Sequence, residues 1–117
     1  MHENKMFDEF VIFLEACESG SMFENIDLAS MNTWALTATN STSPSYGTYC
    51  YPHDMIDGEN FYTCLGDLFS VSWMEYLEEN KDALRSMSLH QFYEKIKLRT
   101  SAKSDVLAFG SDSIEQS

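Results

Sequence analysis

The sequence predicts an α/β domain of mainly parallel strands with flanking helices and an incomplete sheet. Three observations carry this. Short, near-continuous apolar runs have the length and the β-branched or aromatic content of buried strands. Two longer stretches repeat apolar residues at helical spacing. The order is strand, strand, helix, helix, strand, with a crossover between the first two, which is an α/β pattern.

The first strand is Phe10-Val11-Ile12-Phe13-Leu14, followed by a Gly-Ser break at Gly20-Ser21. The second is Trp34 to Thr39, ending in Asn40-Ser41-Thr42-Ser43-Pro44-Ser45, a dense cluster of turn formers. A loop then runs from Tyr49 to Thr63 and includes Asp57-Gly58. Leu65, Leu68, Phe69, Trp73, Tyr76 and Leu77 recur at helical spacing. Val71 and Met74 widen that stripe, so this helix is expected to be buried on more than one side. Ser88-Leu89-His90-Gln91 fits a capping box, and Leu89, Phe92, Tyr93 and Ile96 line one face of the helix it opens. Val106 to Phe109, before Gly110, reads as a third strand, and Ser111 to Ser117 as a polar ending. Three strands make a narrow sheet, so the core is expected to need partners outside this chain.

Composition excludes some functions. At 44% hydrophobic and 14% aromatic over 117 residues, the chain can build one core and is not a disordered tail. Seven basic against nineteen acidic residues leave a net charge of −12. Such a surface repels phosphate backbones and anionic lipid heads, which argues against nucleic acid and membrane as partners. Protonation of carboxylates would relieve the self-repulsion, which suits an acidic compartment. No apolar run reaches membrane-spanning length, and the polar start Met1-His2-Glu3-Asn4-Lys5 does not read as a secretory signal.

The chemistry concentrates in Glu15-Ala16-Cys17-Glu18-Ser19-Gly20-Ser21, directly after the first strand. Open α/β sheets place catalytic groups at the carboxyl ends of their strands. The small residues around Cys17 leave room for a substrate to approach. A thiolate there attacks carbonyls if a neighbouring base or cation lowers its pKa. On composition alone, a structural buried cysteine is the competing reading. Asp67, at the start of the first apolar helix, is equally an acid favoured by a helix N-terminus. Cys50 and Cys64 flank the loop and, with His53, could offer three zinc ligands or simply two free thiols.

Longer strings go further. Phe13-Leu14-Glu15-Ala16-Cys17-Glu18-Ser19-Gly20-Ser21-Met22-Phe23-Glu24 resembles the nucleophile segment of the legumains, or vacuolar processing enzymes. The likeness continues through Ala35–Asn40, Ser45–Cys50, Thr63–Leu68, Ser70–Glu75, Leu89–Gln91 and Val106–Gly110, in family order over nearly the whole chain. The resemblance implies a caspase-like α/β sandwich and a cysteine endopeptidase that cleaves after asparagine, less readily aspartate. It implies peptide or protein substrates, no cofactor and no metal, and a vacuolar, lysosomal or secreted parent protein. Cys17 takes the nucleophile's place; Glu15, Ser45, Tyr46 and Asp67 match the substrate pocket; Cys50 and Cys64 match a disulfide.

Pro44 and Leu36 depart from the family, which has serine and threonine there. Pro44 removes an N–H near the substrate strand. The family's catalytic histidine, its glycine neighbour and a pocket arginine all lie before the nucleophile strand. The sixteen residues before Cys17 hold neither His-Gly nor an arginine, and His2, His53 and His90 match no catalytic position. The expectation is therefore the back half of a domain, needing an N-terminal half and inactive alone. The alternative is an inactive relative acting as a structural or peptide-binding module.

Overall fold

Phe10–Leu14 forms strand β1 and Thr33–Thr37 forms β2, in a computed structural model that describes residues 1–101 and 103–117. The two strands pair in parallel, Phe10 opposite Thr33 and Leu14 opposite Thr37. No α-helix joins them. Their connection turns through short 3-10 segments at Ser19–Met22 and Ala29–Met31. After β2 come four two-residue strands: β3 (Gly47–Thr48), β4 (Met55–Ile56), β5 (Glu59–Asn60) and β6 (Gly66–Asp67). β3 pairs with β6, and β4 with β5 across the Asp57-Gly58 turn, so the loop read from Tyr49 to Thr63 contains a small hairpin. Helix α1 is Leu68–Glu79, helix α2 is Leu89–Thr100, strand β7 is Leu107–Gly110, and a last turn of helix, α3, is Asp112–Glu115.

The main sheet has the order β1-β2-β7, and β7 runs antiparallel to β2. This corrects the expectation of mainly parallel strands. The cause is the number of helices. α1 leads away from the carboxyl end of β2 and α2 returns to it, where Ser104 Oγ donates to the Ala38 carbonyl. A strand that starts at that end can only run back along β2. At its far end Gly110 has φ 112°, and a Cβ there would stand 2.2 Å from the Thr33 carbonyl oxygen, so only glycine fits.

Both helices pack on one face of this sheet. Trp34 and Leu36 of β2 meet Phe69 and Tyr76 of α1, Phe92 and Ile96 of α2, and Val106 in one buried cluster. Phe13 of β1 sits among them, stacked on Phe92 at 5.7 Å and edge-on to Trp73 at 5.1 Å. Burying side chains such as Leu36, Phe69 and Ile96 completely contributes about 1.5–3 kcal/mol each. On the opposite face the β1–β2 connection lays Phe23 against Phe109, with ring centroids 6.0 Å apart. Arg99 of α2 ties the helices from outside, its guanidinium 2.7 Å from Glu79 and 3.3 Å from Glu75.

Two helical expectations need adjustment. Leu65 lies before α1, and Met74 is 52% exposed, so α1 buries one side rather than several. Its other flank faces solvent, because no further layer covers it among the described residues. At α2 the capping box is complete: Ser88 Oγ accepts from the Gln91 amide at 3.2 Å, and Gln91 Oε1 accepts from the Ser88 amide at 3.1 Å. The polar ending is also structured. Ile114 of α3 is buried in the core, and Glu115 accepts from Trp34 Nε1 at 3.1 Å and meets His90 Nδ1 at 2.6 Å.

Candidate active site

β1 and β2 are parallel neighbours, so the segments leaving their carboxyl ends lie side by side. Backbone and side-chain bonds staple them together. The Glu18 amide donates to the Ser43 carbonyl at 2.8 Å, and the Gly20 amide to the Thr39 carbonyl at 3.0 Å. Ser19 Oγ accepts from the Thr39 amide at 3.1 Å and donates to the Thr39 carbonyl at 3.3 Å. A Cβ on Gly20 would lie 2.8 Å from the Asn40 carbonyl carbon, so a side chain there would push the segments apart. Glu18 takes up the sharp turn with φ 55°, a left-handed conformation uncommon outside glycine. This turn leaves Cys17 on the surface, as the one free cysteine among the described residues.

Asn40 organises the second segment. Its Oδ1 accepts from the Thr42 and Ser43 amides at 2.9 and 2.8 Å, and its Nδ2 donates to Asp105 Oδ2 at 2.9 Å. The turn so formed delivers Ser45 to Cys17. The Ser45 amide donates to Cys17 Sγ at 3.4 Å, and the Ser45 carbonyl and hydroxyl oxygens both lie 3.9 Å from the sulfur. The sequence marks Ser19 only as a small residue beside Cys17 and Asn40 only as part of a turn cluster, and neither reading includes the bonds that join the two segments. Their signal was present as turn chemistry, since Ser and Asn side chains bond nearby backbone, but its role depends on the partner segment.

Glu15 and Asp67 come to the same end of the molecule. Glu15 Oε2 accepts from the Ser70 amide of α1 at 2.7 Å, while Oε1 is buried with no hydrogen-bond partner among the described residues. Burial raises the Glu15 carboxyl above its ordinary value. The Ser70 amide and hydroxyl oppose this, and the negative charge of Asp67 adds to it. Asp67 is the N-cap residue of α1, yet its side chain makes no capping bond. Tyr46 is 42% exposed, and its carbonyl accepts from the Leu68 amide at 2.8 Å. Pro44 is exposed beside Ser45, whereas Leu36 is fully buried in the core.

Cys50 and Cys64 are joined by a disulfide that closes the β4–β5 hairpin loop. With their sulfurs bonded to each other they offer no thiolate to a metal beside His53. The bridge packs under β3, where a Cβ on Gly47 would meet Cys64 Sγ at 2.9 Å.

The profile of the peptidase C13 family matches residues 1–117. The chain belongs to the peptidase C13 family. It is 40% identical over 120 residues to a vacuolar-processing enzyme beta-isozyme of Arabidopsis thaliana, covering 97% of this chain and 24% of that protein. It is 43% identical over 110 residues to a legumain of Canavalia ensiformis, covering 94% of this chain and 22% of that protein. A vacuolar-processing enzyme of Citrus sinensis is 43% identical over 101 residues, 86% of this chain and 20% of that protein. The chain thus spans between a fifth and a quarter of the length of these relatives.

In this C13 chain Cys17 bonds only to Ser45 among the described residues. His90 is paired with Glu115, His53 lies on the exposed disulfide-closed loop, and His2 stands 6.2 Å from the Phe7 ring. No described helix is long and apolar enough to cross a membrane.

Proposed function

We propose that the chain supplies the nucleophile and much of the side-chain pocket of a cysteine endopeptidase that cleaves after asparagine, with Cys17 as the attacking group. The observation that carries this reading is the buried, unpartnered Glu15 Oε1, two residues before an exposed thiol. A buried acceptor without a donor costs about 1–3 kcal/mol. The NH2 group of an asparagine side chain supplies that donor, and the Ser45 hydroxyl and Asp67 add further polar groups. A site built this way rejects side chains that would leave its polar atoms unpaired.

The chemistry follows from the positions. The Cys17 thiolate adds to the asparagine's own backbone carbonyl carbon. The C–N bond to the following residue breaks as the amine leaves, taking the proton that the base removed from the thiol. Water then hydrolyses the thioester and frees the thiol. The Cys17 amide has no acceptor among the described residues, so it is available to the developing oxyanion. The fold around these groups reads as part of a caspase-like sandwich, with β1 as an edge strand to which further strands can be added.

One observation favours a quieter role for the chain alone: no histidine contacts Cys17 among the described residues. A thiol without a base is mostly protonated at neutral pH and a weak nucleophile. In isolation the chain therefore acts as a peptide-binding module, and turnover requires a base and a pocket arginine from an N-terminal half of the domain. Two of the three relatives carry the name vacuolar-processing enzyme, which supports a vacuolar location for the parent protein. Expression of the chain and assay with an Asn-containing fluorogenic peptide, from acidic to neutral pH, is the test. Cleavage that Cys17→Ser abolishes would show that a base within the chain serves. Failure of Asn peptides to bind better than Ala peptides would remove the pocket reading.

A further inference from the structure

Beside the Cys17 segment lies a cleft of about 400 Å³. One wall is formed by Ser43, Pro44 and Tyr46, which flank Ser45. The other is formed by Lys97 near the end of α2, with Lys103 and Asp105 from the segment that enters β7. In a chain of net charge −12, this cleft gathers two ammonium groups against one carboxylate. One oxygen of that carboxylate, Asp105 Oδ2, accepts from Asn40 Nδ2 at 2.9 Å. Lys97 Nζ donates to the Tyr93 hydroxyl at 2.9 Å and keeps N–H groups to spare. Neither lysine forms an ion pair with a carboxylate among the described residues; the pairs found there belong to Arg99 and His90.

We infer that this cleft receives an acidic side chain, of aspartate or glutamate, belonging to the same peptide whose carbonyl meets Cys17 but at a flanking residue. The inference rests on the proposed peptide-cleaving role of Cys17 for the path of the peptide. Its own basis is the charge and shape of the cleft. The hydrogen-bonding groups at Cys17 Sγ among the described residues all come from Ser45, so a peptide seated at the thiol runs past Ser43–Tyr46 and its neighbouring side chains reach the cleft. Pro44 offers no N–H there, which leaves recognition to the lysines and the Ser43 hydroxyl. The net charge of the three ionised groups is +1, which one carboxylate balances and a phosphate dianion would exceed. The ammonium groups are partly hydrated, so the preference is modest and falls with salt.

The test measures fluorescence anisotropy of labelled Asn-containing peptides with the full chain at low salt. Each flanking position carries Glu in one peptide and Gln in its twin. At one position Glu is expected to bind roughly three- to tenfold more tightly than Gln, as for two exposed ion pairs. The preference should vanish in the K97Q/K103Q double variant and persist in K97R/K103R. A second arm titrates N-acetyl-glutamate N-methylamide and follows backbone amide shifts of Ser43, Tyr46 and Lys103, which does not depend on any peptide bound at Cys17. Peptides that bind with no Glu preference, or with one that survives K97Q/K103Q, overturn the inference while the Cys17 reading stands. Small-molecule shifts without peptide binding support the cleft and count against the Cys17 reading. Absence of both also overturns the inference.

Discussion

Glu15, at the end of β1, caps helix α1 through the amide of Ser70, fifty-five positions later, at 2.7 Å. The residue placed to cap that helix locally, Asp67, leaves its carboxylate free. The two acids thus exchange the roles that sequence position suggests. The one on the strand is held by the helix, and the one at the helix start makes no side-chain bond to the helix it begins.

Glu15 should make the fold more stable in mild acid. Burial raises its carboxyl above the ordinary value it has in the unfolded chain. Below that ordinary value both states hold the proton and the contribution is fully present. As pH rises through the folded value the native state holds the proton longer than the unfolded state, and stability declines. Urea unfolding at a series of pH values should show this slope, and Glu15→Gln should flatten it.

The same titration sets a specificity trend. A neutral Glu15 carboxyl can donate to an aspartate side chain, whereas an ionised one repels it. The affinity of an Asp peptide relative to its Asn twin should therefore rise as pH falls. Competition binding at acidic and neutral pH measures it, and a ratio independent of pH would exclude Glu15 from the contact.

Iodoacetamide should label the oxidised chain once, at Cys17, and Cys17→Ser should remove the label. Cys50 and Cys64 should resist the reagent until reduced. Peptide mapping without reductant should recover them as one linked pair; two free thiols in material from an oxidising compartment would contradict the bridge. Closing a loop of this length contributes up to about 3 kcal/mol, so Cys50→Ser with Cys64→Ser should lower stability by that order.

Ile114→Ala should destabilise the domain by about 2–5 kcal/mol, as expected for a truncated core isoleucine. Glu115→Ala should cost less but free the Trp34 indole N–H. Both effects are read from urea midpoints, and a neutral Ile114→Ala would mean that α3 does not contribute to the core.

Local chemistry was legible in the sequence wherever it was decided within a few residues. The apolar run of β1, the Ser88–Gln91 capping box and the Phe92–Ile96 face are all short-range patterns, and each is present in the structure. The ordered likeness from Phe13 to Gly110 also led to the family, because it lies in the residues themselves. What the tertiary structure decided involves residues far apart in the chain. It set the direction of β7 by sending two helices out and back. It buried Ile114 in an ending that reads as polar, because one apolar residue in a turn of helix carries no periodic signal. It made Glu15 the cap of a helix that Asp67 begins, since which carboxylate reaches an open N–H depends on where the strand end meets the helix. It also brought Lys97 and Lys103 beside Ser43 and Tyr46. Periodicity and turn chemistry act over one or two turns of chain, whereas burial, charge pairing and cleft shape depend on which distant segments are packed together.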